Sequence, residues 1–552
     1  MGPTASLRLR RSAAQLHALT QLQREIRASD PHARRKYLRD FAEAYQVYES
    51  VLSPEQLLAA YRDADILLVG DYHALPASQR FAAALVRLLA QEQRPVVLGV
   101  ETIFARDQRI LDRWRHGQID GQELRSRLRF DLDWGYDWQP FLELLDSARQ
   151  HALAIYALDC MPRNDLRKIG ARDRHAAARI AEIREQLPEA RLVVLFGESH
   201  LAPKHLPELV RSRRPQDRLL TVLQNVDSLY WLAAGEQRDR VDAVRVSDHV
   251  ICVFNSTPLE KYESYRICLE RWRQERTTAP DYAPAFYNMV EALLRFLNIE
   301  KSALARSTTQ VLSDDLFPEV HCRTSQDRLR RLLLDKGADE NELNTVLARI
   351  ATQGACYVPS AGAVFAHKFN LVHGAEEAAR FVHHLCRGAK LQTDSASAED
   401  RFYARVLEEA LAYFGSRALY PERPAVRDSD LYALYSLRRE VVEELGICSY
   451  REFMQLLDFL VLHKDYEANL RHYRRIPQLL QEGPGWGGER SSYATQQLGY
   501  MLGTQLYDAY IAGRVEKRFL RSLFFRDLNT SGAARIVYFA TVRRLRRKKP
   551  SP

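Results

Sequence analysis

Four short apolar runs in the N-terminal part of the chain are each followed, within one or two residues, by an acidic side chain. The runs cover residues 66–69, 95–100, 153–158 and 192–196. A short apolar run bounded by polar residues is typical of a strand that is buried on both faces, as in a parallel sheet. The residues that follow the four runs are Gly70-Asp71-Tyr72-His73, Glu101, Asp159 and Gly197-Glu198-Ser199-His200.

The segments between these runs have a helical pattern. Residues 79–93 carry an apolar stripe at helical spacing, and residues 172–186 form a second predicted helix. Apolar runs at 219–223 and 249–254 predict about two more strands. This alternation predicts an α/β fold, with a parallel or mixed β-sheet flanked by helices. The first strand, its helix and the second strand should form a βαβ unit with a right-handed crossover.

The pattern changes after about residue 258. From there the apolar residues follow the helical period and alternating strand patterns are nearly absent, which predicts an all-α C-terminal half. This half shows no family resemblance and no repeat. The predicted domains are a helical N-terminal arm (1–60), an α/β domain (61–258), a helical region (259–395) and a helical C-terminal region with a basic tail (396–552).

The polar residues at the ends of the four runs predict a single site. Because the carboxyl ends of parallel strands meet at one edge of a sheet, ligands collect there. If the four runs are parallel neighbours, one rim carries His73, Glu101, Asp159, Glu198 and His200. Imidazole and carboxylate groups are ligands for Zn, Mn, Fe and Cu. We therefore predict His73, Glu101 and His200 as metal ligands.

Other residues near the rim have predicted roles in the same site. His205 could add a third nitrogen ligand if its loop folds back. Asp71 and Glu198 each follow a strand-ending glycine, and one of them could act as general base on a metal-bound water. The aromatic and acidic segment 131–140 contains Trp134 and either roofs a ligand pocket, because flat rings suit a planar ligand such as a porphyrin, or fills space between helices.

At these residues the sequence resembles a known family. The two Gly-x-x-His motifs, residues 98–101 at the end of the second run, and the pair Trp134 and Trp138 resemble the ChaN-like family of haem-binding uptake proteins in the Tiki superfamily. That superfamily also contains Tiki-type and TraB-type metal-dependent hydrolases and is related to the erythromycin esterases. The resemblance covers roughly residues 50–255. The sequence departs from the family in two respects. Asp71 stands where glutamate is usual, and ChaN-like proteins are typically secreted lipoproteins, whereas this sequence has no visible secretory segment.

The resemblance implies haem, or a divalent transition metal (Zn, Mn or Fe), as the cofactor. For haem, an imidazole or a phenolate would bind the iron, and the nearest phenolates are Tyr72 and Tyr156. The predicted cofactor contacts are Tyr72, Asp159 and Trp134. An arginine could meet the propionates, and the candidates are Arg80, Arg106 and Arg163.

Three functions are consistent with the sequence. The first is binding of haem or a transition metal at the rim, and the second is metal-dependent hydrolysis of an ester or peptide by the same residues. The third is a non-catalytic scaffold with a degenerate site. A homodimer and a protein partner for the helical half are both compatible with the sequence, which contains no signal that requires either.

Composition bears on the compartment and on the partners. The seven cysteines form no Cys-x-x-Cys pair, which favours a reducing compartment over a disulfide framework or a zinc ribbon. With no visible secretory segment and no membrane span, we expect a cytoplasmic protein. The formal net charge is +9 at pH 7, and the basic cluster 543–549 is more typical of a solubilising tail than of a nucleic-acid site.

Overall fold

The computed structural model divides the chain into two compact units, residues 19–280 and residues 281–552 together with residues 12–18. The structure describes residues 12–30, 36–160, 169–235, 241–273, 281–300, 317–322, 325–335, 340–366, 370–387, 397–437, 439, 442, 449–469, 472, 475–482 and 489–546. Arg163 and residues 547–552 of the basic tail lie outside this part of the chain. Among the described helices, none combines the length and the apolar character that a membrane span needs.

The first unit is built on a mixed, mostly parallel sheet. In its described residues the strand order is β1-β7-β8-β6-β2-β5-β3-β4. The strands from β8 to β4 run parallel to one another, whereas β7 is antiparallel to both β8 and β1. The strand bounds are β1 Ser50–Leu52, β2 Ile66–Asp71, β3 Val96–Phe104, β4 Ala154–Asp159, β5 Arg191–Gly197, β6 Leu219–Gln224, β7 Ala243–Ser247 and β8 Val250–Val253.

The four apolar runs are confirmed as adjacent parallel strands, in the order β2-β5-β3-β4. Successive residues of β2 point to opposite faces of the sheet: Leu67 and Val69 belong to one hydrophobic core, whereas Ile66 and Leu68 belong to another. Both faces are covered, so both sets of side chains are buried, and the strand reads as a continuous apolar run.

Helices cover both faces of this sheet, and the two hydrophobic cores contain residues of different helices. Residues of α4, α5 and α8 belong to one core, and residues of α9, α10 and α11 belong to the other. The described helices from the chain start to residue 273 are α1 Ala13–Ser29, α2 Lys36–Ala44, α3 Pro54–Asp63, α4 Pro76–Ala90, α5 Gln108–Arg115, α6 Gly121–Arg127, α7 Phe130–Asp133, α8 Trp138–His151, α9 Ile169–Gln186, α10 Leu206–Arg213, α11 Asp227–Gly235 and α12 Pro258–Arg273.

The sheet differs from the sequence expectation in two respects. Strands β2 and β3, joined by α4, are not neighbours, because β5 lies between them. The antiparallel strands β1 and β7 were not predicted, and β1 lies within the arm that was expected to be helical. Both strands are short and only partly buried, so their apolar signal is weak.

The second unit is largely helical, but it also contains a small sheet that was not predicted. The described strands β9 Glu319–Cys322, β10 Ala355–Val358 and β11 Ala363–Ala366 pair in the order β10-β11-β9. Each has four residues, which is too short for a clear alternating pattern. The helices are α13 Ala283–Leu297, α14 Gln326–Asp335, α15 Glu340–Gln353, α16 Leu371–Arg387, α17 Ala398–Leu419, α18 Asp428–Leu434, α19 Tyr450–Ala468, α20 Ile476–Glu482, α21 Glu489–Ile511, α22 Lys517–Phe524 and α23 Ala533–Arg546. The finer division of residues 259–552 stays a prediction.

Candidate functional site

The carboxyl ends of β2, β5 and β3 bring together three of the predicted ligands. His73 follows β2 by two residues, Glu101 lies within β3, and His200 lies in a 3₁₀ turn, Glu198–Leu201, directly after β5. His200 follows β5, the strand next to β3, and His73 follows β2, on the far side of β5, so both histidines approach Glu101 from the same side. The strand order therefore produces the cluster that the sequence predicts.

Each histidine is oriented by an aspartate. His73 Nδ1 lies 2.7 Å from Asp71 Oδ2, and His200 Nδ1 is paired with Asp173 of α9. The other ring nitrogens face one carboxylate: His73 Nε2 is 3.5 Å from Glu101 Oε2, and His200 Nε2 is 3.8 Å from Glu101 Oε1. An aspartate on Nδ1 fixes the tautomer and the ring orientation, and metal-binding histidines usually have such a partner.

Glu101 is buried and is held by groups other than the histidines. Its carboxylate accepts a hydrogen bond from the Gly197 backbone N–H, and Arg172 Nη2 donates to Oε1 at 2.6 Å. Burial alone would raise the pKa of this carboxyl, but the charges of His73, Arg172 and His200 hold the pKa below its ordinary value. Glu101 is therefore ionised at neutral pH.

Arg172 also binds Asp159 at the end of β4. Its Nε and Nη2 donate to the two Asp159 oxygens, both at 2.8 Å, which is the bidentate geometry that suits arginine. The side chain of Arg172 is only 8% exposed. Burial raises the pKa of Asp159 even with this partner, and the two carboxylates raise the pKa of Arg172. Asp159 is therefore connected to Glu101 through their shared partner Arg172.

Gly197 is required by the close approach of these groups. A Cβ at this position would lie 3.0 Å from Glu101 Oε2, 3.3 Å from His73 Nε2 and 3.4 Å from His200 Cδ2. Any larger residue would push against the carboxylate and both imidazoles. The glycine of the second Gly-x-x-His motif is thus explained by space and not by an unusual backbone angle.

The rim does not form a finished site for a bare metal ion. Among the residues that the structure describes, no group of three or more His, Cys, Asp or Glu side chains is placed so that it could hold one. His73 and His200 face different oxygens of Glu101, and Arg172 binds the same carboxylate. Protein sites for zinc usually supply three or four ligands to one point.

Aromatic side chains surround His73. The rings of Trp134 and Tyr136 lie 5.3 and 5.2 Å from its imidazole, and that of Phe141 lies 6.4 Å away. The His73 side chain is 14% exposed, compared with 4% for His200. Of the two rim histidines, His73 is thus the more accessible, and aromatic rings lie around it in addition to the carboxylates of Asp71 and Glu101.

Glu198 and Tyr72 lie in a second cluster. Lys261 Nζ, on α12, is 3.0 Å from Glu198 Oε1 and 4.7 Å from the centre of the Tyr72 ring. Burial raises the pKa of Glu198, although Lys261 opposes the rise. Burial also raises the pKa of Tyr72 well above its ordinary value, with a smaller contribution from the Glu198 carboxylate. Tyr72 thus lies beside Lys261 and Glu198, and its role as a cofactor contact stays a prediction.

The remaining predicted residues have contacts elsewhere. His205 Nε2 is 3.0 Å from Asp40 Oδ2, and its ring packs against Tyr37 at 3.8 Å, so its described contacts do not include Glu101. Arg80 pairs with Glu143 at 3.0 Å, and Arg106 lies over Phe104. The half-buried Tyr156 lies in β4 and packs against the core on the α9 side of the sheet. Arg163 lies outside the described residues.

Sequence reasoning missed three residues of this site. Arg172 and Asp173 lie on α9, and Lys261 lies on α12, where a charged residue is normally read as part of a solvated face. The structure buries all three. A buried charge needs a partner, but the partner belongs to a distant part of the chain, so no local pattern reveals it.

Comparison with known proteins relates part of the first unit to a known family. Residues 57–192 match the family model described as haem-binding uptake, Tiki superfamily, ChaN. This segment is a ChaN-like domain. The match confirms the resemblance over that segment, which is shorter than the predicted range of 50–255 and ends before the second Gly-x-x-His motif.

Two further comparisons add little to this assignment. A solved structure described as cofacial heme binding to ChaN of Campylobacter jejuni is 15% identical, covering 32% of this chain and 86% of that chain, with a TM-score of 0.26. That score does not extend the assignment beyond the family match. No curated protein matches the chain.

Proposed function

We propose that the ChaN-like domain binds haem at its sheet rim, with His73 as the protein ligand to the iron. The observation that carries this proposal is the setting of His73, which is oriented by Asp71 and 14% exposed, faces Glu101 through Nε2 at 3.5 Å, and has the rings of Trp134 and Tyr136 within 5.3 Å of its imidazole. The imidazole can ligate iron, and the aromatic rings offer flat apolar surface for a macrocycle. The family description, haem-binding uptake, supports the same ligand.

The ligand count favours haem over a bare ion. A porphyrin supplies four nitrogen ligands, so the protein needs to add only one or two. A bare transition-metal ion needs about three protein ligands. Among the described residues, no three His, Cys, Asp or Glu side chains are placed to bind one ion together. When bound, haem would supply the iron chemistry, whereas Asp71 would hold the His73 tautomer and the aromatic rings would exclude water.

A second candidate is metal-dependent hydrolysis by the same residues. It is favoured by the two aspartate–histidine pairs that face the single carboxylate Glu101. Such a pair is also how a general base is oriented. This candidate predicts bound zinc, manganese or iron without haem, and ester or peptide cleavage that a chelator abolishes. In that case Asp71, whose carboxylate orients His73, is an orienting residue and not the base itself.

Hemin titration followed by absorption tests the proposal. The full-length protein, purified without chelators, should bind about one hemin per chain and develop an intense Soret band. The His73→Ala variant should bind hemin at least about tenfold more weakly, equivalent to about 1.4 kcal/mol. His116→Ala is the control, since the exposed His116 ring lies 2.7 Å from the Asp112 carbonyl oxygen at the end of α5, and this variant should leave hemin binding unchanged.

Metal analysis by mass spectrometry on the same samples separates the two candidates. Stoichiometric zinc or manganese with no Soret change on adding hemin would replace the haem proposal with the hydrolase. Equal hemin binding by wild type and His73→Ala would show that His73 is not the ligand. Neither metal nor hemin binding would overturn both candidates and leave a scaffold role.

A further inference from the structure

We infer that Trp272 of helix α12 is a positioning residue that fastens the aromatic loop against His73 and so sets the affinity and access of the haem site. This inference rests on the proposed haem function. Helix α12, Pro258–Arg273, lies in the first unit but outside residues 57–192, so this part of the rim comes from sequence beyond the family match.

A specific contact joins α12 to the loop. The indole Nε1 of Trp272 donates a hydrogen bond to the Gly135 carbonyl oxygen at 3.1 Å. Gly135 has φ +71, and a Cβ there would lie 2.6 Å from Trp272 Nε1. Only glycine combines this backbone conformation with this approach. The loop is therefore shaped to receive the indole.

The contact extends directly to the proposed ligand. Tyr136, next to Gly135, packs edge-on against Trp272 at 5.3 Å and against His73 at 5.2 Å. On the other side of Gly135, Trp134 contacts His73 at 5.3 Å. A displacement of Gly135 therefore moves both rings that flank the imidazole.

Helix α12 makes a second aromatic contact at the rim. Tyr265 lies 6.1 Å from Trp272 and 6.0 Å from Tyr72, the residue that precedes His73. Lys261, one turn earlier on the helix, pairs with Glu198 at 3.0 Å. The helix is thus attached to both Gly-x-x-His motifs, which fixes the position from which Trp272 reaches the loop.

Trp272 packs against the loop with only part of its surface. The residue is 39% exposed. Exposed surface of this kind next to a ligand site suits a residue that a planar ligand can cover. Trp272 holds Gly135 through the indole hydrogen bond, and Gly135 in turn positions the two rings that flank His73.

The test uses the full-length protein and three variants. Trp272→Phe keeps an aromatic ring and removes the N–H, Trp272→Ala removes both, and Gly135→Ala places a methyl against the indole. We expect hemin to dissociate about five- to tenfold faster from each, the effect of losing about one hydrogen bond, together with a displaced Soret maximum. Trp231→Ala is the matched control, because Trp231 of α11 packs on Tyr230.

A second measurement does not depend on haem. Acylation of His73 by diethyl pyrocarbonate, followed by mass spectrometry, should be several-fold faster in Trp272→Ala than in wild type, with His205 as internal reference. Faster acylation in a protein that binds no hemin would overturn the haem proposal and keep the positioning role. The positioning role alone would be overturned if all three variants had the hemin dissociation rate, the Soret maximum and the His73 acylation rate of the wild type.

Discussion

Replacing Arg172 by methionine should destabilise the first unit strongly. Arg172 makes one hydrogen bond to Glu101 and two to Asp159, at 2.6 to 2.8 Å, and its side chain is 8% exposed. Methionine fills similar space but leaves both buried carboxylates without this cation. Breaking a buried ion pair on one side costs about 3–5 kcal/mol, whereas an exposed pair is worth about 1 kcal/mol or less. We therefore expect a loss of about 3–5 kcal/mol.

Urea unfolding followed by tryptophan fluorescence measures this loss. Five of the six tryptophans lie in the first unit, so the signal reports mainly on it. The control Arg125→Met removes an exposed pair with Asp131, whose side chains are 35% and 51% exposed, and should cost about 1 kcal/mol or less. Adding Glu101→Gln to Arg172→Met should restore part of the stability. A loss for Arg172→Met no larger than the control would refute the reasoning.

Three other substitutions have definite expected outcomes. Gly197→Ala places a methyl 3.0 Å from Glu101 Oε2 and should weaken hemin binding about tenfold in a Soret titration; unchanged affinity would contradict the packing argument. Burial raises the pKa of Glu422, in the second unit, to about 8 from 4.5. The unfolded chain therefore releases this proton first, and stability falls between pH 4.5 and 8. Glu422→Gln should stabilise the protein to urea at pH 8 but hardly at pH 4.5, and an equal effect at both would argue against the shift. Gly503→Ala on α21 places a methyl 2.6 Å from the Ala410 carbonyl oxygen of α17 and should cost about 1–3 kcal/mol, seen as a lower Tm, whereas an unchanged Tm would show that the helices can separate.

Much of the fold could be predicted because it depends on local patterns. Strands β2, β3 and β5 are buried on both faces, and a strand buried on both faces has a continuous apolar run in its sequence. Their parallel arrangement then places His73, Glu101 and His200 at one edge. The short strands β9 to β11 escaped prediction because four residues are too few to establish a period.

The partners within the site could not be predicted. His205 is as suitable a ligand type as His200, but the loop carries it to Asp40 and Tyr37. Glu198 occupies the same motif position as Asp71, yet it pairs with Lys261 and not with the following histidine. Residues of the same chemical type at similar sequence positions thus have different partners, because the partners come from helices far along the chain.

The sequence by itself determined the α/β class, the rim and the residue types that line it, since burial periodicity and strand direction are local properties. Only the tertiary structure decided that β5 lies between β2 and β3, which brings both histidines to Glu101. It also decided that Arg172 neutralises Glu101 and Asp159, and that Trp272 reaches Gly135. These contacts join residues separated by 13 to 137 positions, and a one-dimensional pattern contains no distance between such positions.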